Sequence, residues 1–322
     1  MPLKRIRSVF NPDMYHGWGR SKSFFEGWYF KVVNSVGDKI FAIIPGISID
    51  KKGKKHSFIQ LLNGIEGNAE YFEFPFEKFK AHSRKFEISI AGNIFTRNSL
   101  YLDLPGFGAE LDFTDLNQWP NSFYSPGIMG PYTFAPFMEC YHGIVSMNHT
   151  INGMILMKGT ELDFEGGRGY IEKDWGKSFP RAYIWLQSNH FEDPGTSLKV
   201  SIARIPWLGT SFTGFIAGLL QGGQLHQFTT YNSSELNNLE VTLKMINIVI
   251  KNKKLRLSLR IDRDKATRLA SPVSGDMSGH ISETMKACVR ISLEDMKTGE
   301  IIYSGKGLNT ALEVDGDIDL LT

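Results

Sequence analysis

Residues 24–33 read Phe-Phe-Glu-Gly-Trp-Tyr-Phe-Lys-Val-Val, a run in which aromatic and β-branched side chains crowd around one glutamate and one lysine. Such a run suits a pleated strand and suits a helix poorly, because bulky side chains lose rotamer freedom against a helical turn. Alternation with period two puts Phe24, Glu26, Trp28 and Phe30 on one face. Segments of the same kind recur at 39–49, 56–65, 69–74 and 86–90, each closed by Gly, Asn, Asp or Pro. Residues 92–114 continue the pattern. Pro120, Pro126, Pro131 and Pro136 then break it, so 118–136 reads as an irregular loop at the edge of a site. Strands resume at 138–147, 153–158, 161–164 and 169–175, and again from 183 to 314 after a Gly-Lys-Ser-Phe-Pro stretch at 176–180.

Many short strands with little helical periodicity predict an all-β protein of barrels or sandwiches, not a parallel βαβ sheet. A chain of 322 residues exceeds what one core usually serves. The expected division is therefore 1–178 and 179–322, two antiparallel all-β domains packed together. Hydrophobic residues at 42% and charged residues at 22% are ordinary for a folded protein, whereas 12% aromatics suit strands and lined cavities.

Charge excludes other classes. The net charge is +2, and the one block of like charge, Lys51-Lys52-Gly53-Lys54-Lys55, sits where a hairpin turn is expected. No nucleic-acid partner is expected. Cys140 and Cys288 are too far apart in sequence to suggest a disulfide scaffold. The basic N-terminus is followed by no apolar stretch, and no segment is long enough to cross a bilayer, so the expectation is a cytoplasmic protein for which any membrane contact would be peripheral.

Three stretches can carry chemistry. Glu26 among aromatics would hold its proton if buried alone, or would be ionised if paired with an arginine across the barrel. In Gly-Tyr-Ile-Glu-Lys-Asp-Trp-Gly at 169–176, Tyr170, Glu172 and Asp174 share a face. Two neighbouring acids can split their protonation, and the same stretch can equally be a solvated strand end. At 183–191, Tyr183, Trp185, Gln187, Asn189 and Phe191 share a face that suits an amphipathic ligand, or a core strand with amides bonded to backbone. Cys140 and His142 also share a face, with His149 seven residues on. Two convergent ligands fall short of a metal site, and none is expected. Gly106-Phe107-Gly108 lacks the third glycine of a dinucleotide loop, so no cofactor is expected.

The stretches F-F-E-G-W-Y-F-K-V at 24–32 and Y-I-E-K-D-W-G-K-S-F-P-R-A-Y-I-W-L-Q-S-N-H-F-E at 170–192 resemble the two signatures of tocopherol cyclases. The resemblance implies a pair of lipocalin-like barrels and acid-catalysed closure of a chromanol ring on a prenylated quinol, without a cofactor. It implies Glu172, Glu26 and Tyr170 as catalytic candidates. Trp28, Tyr29, Trp175, Tyr183 and Trp185 would line the ligand, with Asp174, Gln187, Asn189 and His142. The plant motif has Asn at the position of Asp174, which favours Glu172 as the acid. The ligand implied is a hydrophobic, isoprenoid small molecule, to be cyclised or hydrated. The rival expectation is a non-catalytic lipid or pigment carrier using the same cavity.

Overall fold

The computed structural model describes residues 2–136 and 138–321. After one helix, α1 (Pro2–Val9), strands β1 (Phe24–Val33), β2 (Ile40–Ile49), β3 (Lys55–Asn63) and β4 (Asn68–Pro75) form an antiparallel meander. A second meander follows a single helical turn at Phe76–Lys78. It comprises β5 (Phe79–Ala81), β6 (Glu87–Ile90), β7 (Asn93–Thr96), β8 (Ser99–Leu104) and β9 (Phe107–Thr114). Next come β10 (Cys140–Met157), β11 (Thr160–Asp163) and β12 (Gly167–Gly176). β10 and β12 join the meanders into one sheet ordered β4-β3-β2-β1-β12-β10-β9-β8-β7-β6-β5.

This sheet curls round a single core. The Phe30 ring of β1 lies 5.8 Å from that of Phe95 on β7 and 6.2 Å from that of Phe113 on β9. The hydrogen-bond ladder nevertheless stays open, which corrects the expectation of a closed barrel: among the described residues the two edge strands, β4 and β5, are not paired with each other. Both edges disfavour a further ladder, because β5 is three residues long and β4 carries Glu70 and Glu73.

The second sheet repeats the plan. It is built from β13 (Ala182–Ser188), β14 (His190–Phe191), β15 (Ser197–Trp207), β16 (Thr210–Gln221) and β17 (Gln224–Thr229). β18 (Glu235–Val241), β19 (Met245–Lys251), β20 (Leu255–Asp262), β21 (Thr267–Val273), β22 (Asp276–Asp295) and β23 (Ile301–Gly316) complete it. The order is β17-β16-β15-β13-β23-β22-β20-β19-β18, open again between consecutive strands joined by a helical turn, Thr230–Asn232. Its core takes Ile184, Leu186, Val200, Ile202, Ile248 and Leu312.

The chain divides into Met1–Phe179 with Leu269–His280, and Pro180–Arg268 with Ile281–Thr322. A linear boundary cannot express the segment 269–280, which is tied to the first unit by polar contacts. Gln60 reads the Ala270 backbone like a neighbouring strand, accepting its N–H at 2.9 Å and donating to its carbonyl at 3.4 Å. Ser48 Oγ donates to Gly275 O at 2.7 Å, and Gly275 N donates to Lys177 O at 2.6 Å.

The lysine run is a turn: Asp50 accepts hydrogen bonds from Lys52 N and Lys54 N at 2.7 and 2.8 Å. Three strands run longer than their periodicity suggests. β10 is continuous over 18 residues, β22 over 20 and β23 over 16. Glycines and bulges, such as the register shifts at Ile144/Ser146 and Ser146/His149, interrupt the alternation without ending the strand.

Gly275 adopts φ +89°, and a Cβ there would lie 2.1 Å from Ile49 O and 2.3 Å from Phe24 N. Gly275→Ala is therefore expected to destabilise the protein by at least about 2 kcal/mol in urea unfolding followed by circular dichroism. Gly299→Ala, also at positive φ but with nothing within 4 Å, should cost only about 1 kcal/mol. Equal losses would refute the anchoring role of residues 269–280.

Candidate active site

Register across β1 and β12 creates two charged clusters on opposite faces of one sheet. Glu26 stands opposite Trp175, and Trp28 opposite Lys173, all pointing inward. Lys173 Nζ lies 2.7 Å from Glu26 Oε1, and both side chains are fully buried. Lys173 also donates to Pro12 O at 3.1 Å and to Met14 O, and contacts His16 Nδ1 at 2.6 Å. The Glu26 carboxylate accepts His16 N at 2.9 and 3.0 Å and Gly17 N at 2.9 Å. Trp28 Nε1 donates to Asp13 O at 3.1 Å. The segment 12–17 thus lies across the ion pair and satisfies it with backbone groups.

Glu26 is not the neutral acid that burial alone would produce. Burial raises its pKa, but the Lys173 ammonium and the His16 hydrogen bond outweigh that and hold the carboxyl below its usual value. Its partner is a lysine on the adjacent strand, not an arginine across the core. The aromatic faces nearby already serve a cation, with Lys173 Nζ 5.0 Å from the Trp28 centroid and 4.5 Å from that of Trp175. Trp175 also stacks on His16 at 4.0 Å and Tyr141 at 5.6 Å.

The outward face of the same strands holds the second cluster. Tyr29 stands opposite Glu172, Lys31 opposite Tyr170, and His142 of β10 opposite Asp174. Tyr170 Oη donates to Glu172 Oε2 at 2.5 Å, and both are buried. His142 Nδ1 lies 3.3 Å from Glu172 Oε1 and in closer contact with Asp174 Oδ1. Burial first, then the Glu172 charge and hydrogen bond, push the Tyr170 phenol well above its ordinary value, so it stays protonated and donates. Asp174, His142, Glu172 and Tyr170 form a continuous path of close polar contacts from the partly exposed His142 and Asp174 to a buried carboxyl. Such a path can deliver and withdraw a proton.

The structure thus brings together Tyr170, Glu172, Asp174, His142 and Tyr29. It separates them from Glu26, Trp28 and Trp175, so the two motifs do not line one cavity through both glutamates. Tyr183, Trp185, Gln187 and Asn189 belong to the second unit and are buried there. On β13 the first three share the face opposite the Ile184–Leu186 core, where Tyr183 Oη donates to Glu313 Oε2 at 2.7 Å. Buried Lys199 stands opposite Gln187 on that face, and buried Glu283 stands opposite Glu313. His149 packs in the first core, its ring 4.6 Å from that of Phe113, away from His142.

Sequence reading missed His16, Lys173, Lys31, Lys199, Glu283 and Glu313. It also counted only two metal ligands, whereas Asp174 brings a third: one ligand atom each of Cys140, His142 and Asp174 lie within 4.8 Å of one another. This donor set suits zinc with an open fourth position. The register His142↔Asp174 was the missing signal, since it joins strands distant in sequence.

The profile of the family described as Tocopherol cyclase-like matches residues 114–316. The chain is 31% identical over 295 residues to the chloroplastic tocopherol cyclase of Zea mays. It belongs to the tocopherol cyclase-like family. The maize match takes in 72% of this chain and 61% of the maize protein. A chloroplastic protein of Oryza sativa subsp. japonica described as a probable tocopherol cyclase is 27% identical over 103 residues, 31% of this chain and 22% of its own. Solved structures share the fold at low identity. A Nitrosomonas europaea protein described as a putative AttH superposes with TM-score 0.52 at 14% identity, covering 91% of this chain and 92% of that one. CghA with Sch210972 superposes with TM-score 0.57 at 10% identity, covering 92% and 89%.

The inner cluster has measurable consequences in this family member. His16 is pushed down to about 4 and His149 to about 3 from 6.5, burial being the first cause in both. Their unfolded-state forms take up protons below about 6.5 while the folded forms do not, so stability is full above that pH and falls as pH drops towards 4. Glu26, depressed, adds a further loss as pH falls below the ordinary carboxylate range. The melting temperature should follow this course, and His16→Asn should flatten its upper part. At neutral pH Lys173→Met should cost about 3–5 kcal/mol, and adding Glu26→Gln should recover part of it, because the buried charge left behind is then removed. A double variant no more stable than Lys173→Met would count against the pairing.

Proposed function

We propose that the chain is a cofactor-independent cyclase or hydratase acting on a prenylated quinol or a related isoprenoid lipid, with Glu172 as proton donor. The observation that carries this reading is the buried Glu172 carboxyl held between Tyr170 and the His142–Asp174 pair. Glu172 gives its proton to the trisubstituted alkene, leaving a tertiary cation and a carboxylate. The phenol oxygen of the substrate adds to the cation, its proton is lost to the carboxylate, and the net change is an isomerisation. Capture by water instead gives hydration. Tyr170 fixes the Glu172 rotamer and hydrogen-bonds the carboxylate formed when the proton leaves. His142 and Asp174 exchange protons with solvent. Tyr29, opposite Glu172 on the neighbouring strand, borders the ligand in this reading.

The carrier alternative draws on Glu26, whose salt bridge with Lys173 removes it from acid catalysis. A single assay separates the two. A prenylated quinol incubated with the protein in D2O should yield a chromatographically distinct isomer carrying one new carbon-bound deuterium. Glu172→Gln should lower the rate at least about a hundredfold while retaining lipid binding. Tyr170→Phe should lower it about tenfold or more through loss of one charge-assisted hydrogen bond. Lipid binding with no turnover by the unaltered protein would favour the carrier.

A further inference from the structure

The first unit exposes an apolar surface that neither cluster uses. Residues 116–138 contain no charged side chain and are rich in aromatics. Trp119, Ile128 and Met129 of this loop are buried and fix it to the body, but Phe123, Tyr124 and Phe134 are exposed, Tyr124 to 82%. The Phe10 ring stacks on Phe123 at 5.0 Å and meets Phe134 at 6.1 Å, and Asn121 Nδ2 donates to Phe10 O at 3.0 Å. Phe10 directly follows α1, whose Leu3 and Ile6 precede it at helical spacing and are also exposed, Leu3 to 79%. Leu3, Ile6, Phe10, Phe123, Tyr124 and Phe134 therefore make one outward apolar patch.

The flank of the patch is basic. In eight residues α1 carries Lys4, Arg5 and Arg7 and no acid. Lys4 Nζ sits 4.1 Å over the Trp18 ring, Arg5 Nε donates to Trp18 O at 2.7 Å, and Arg7 donates to Ser83 O at 3.3 Å, beside exposed Arg84. These contacts hold the helix on the body with its apolar stripe outward. An uncharged aromatic projection rimmed by cations matches the interface of an anionic bilayer, where aromatic rings enter the headgroup zone and cations meet lipid phosphate. No helix among the described residues is long and apolar enough to cross a membrane.

We infer that α1 and the 118–136 loop together dock the protein onto an anionic lipid surface. The patch stands whether or not Glu172 protonates an alkene. Sedimentation with phosphatidylcholine vesicles containing about a third phosphatidylglycerol tests it. The protein should bind these vesicles, release as salt is raised, and bind pure phosphatidylcholine more weakly. Leu3→Ser with Ile6→Ser, and separately Phe123→Ser with Tyr124→Ser, should weaken binding at least about tenfold without lowering the melting temperature. Val36→Ser, 80% exposed in the turn after β1, should change nothing. In the unaltered protein, vesicles should slow hydrogen exchange across 2–10 and 118–136. Absence of vesicle binding at low salt, binding indifferent to both paired variants, or self-association abolished by those variants in a protein that ignores vesicles would each overturn the inference.

Discussion

Glu26 and Lys173 lie 2.7 Å apart inside the first unit, and neither could remain ionised there alone. Each ion loses several kcal/mol of hydration on burial, which their attraction offsets only if the remaining donors and acceptors are also met. The chain meets them with the backbone of 12–17: two carbonyls for the ammonium and two N–H groups for the carboxylate. The ion pair thus recruits a segment with no regular structure and makes it part of the interior. Trp28 and Trp175 complete the enclosure by presenting their ring faces to the ammonium.

The strand that supplies Lys173 also supplies the outer cluster. Glu172, Lys173 and Asp174 are consecutive, and the pleat sends the lysine inward and both acids outward. Inside, a full-charge partner and backbone donors lock Glu26 in one protonation state. Outside, Glu172 meets a phenol and an imidazole, groups able to share protons with it. Two glutamates of similar sequence surroundings therefore acquire opposite chemistry from the direction in which the strand turns them.

Much of this was legible in residue order. Aromatic, β-branched runs ended by Gly, Asn or Pro marked the strands, and Asp50 and Gly53 marked a turn where a charged patch was the other reading. Alternation correctly joined Tyr170, Glu172 and Asp174. What alternation cannot give is the pairing register between strands, and so it could not tell that Glu26 and Glu172 face opposite ways or that Asp174 meets His142. Periodicity also broke at the bulges of β10, which hid its length. His16 carries no strand or helix signal at all. Its role follows from a tertiary demand, two buried ions needing backbone, and no local pattern encodes that.

An acid that protonates an alkene must stay out of water yet regain its proton after each cycle, and the two glutamates divide on the second requirement. Glu26 is sealed by Lys173 and the 12–17 backbone, and any proton it took up would oppose an ammonium 2.7 Å away. Glu172 is equally buried, but it adjoins His142 and Asp174, whose side chains are 17% and 21% exposed. In the proposed reaction protons reach it through the neighbouring imidazole while its own surroundings stay dry, with Tyr170 holding the carboxyl in place. On the proposed reading this asymmetry, more than aromatic content, is what assigns the acid: the face with the fewer aromatic walls is the one with a route for the proton.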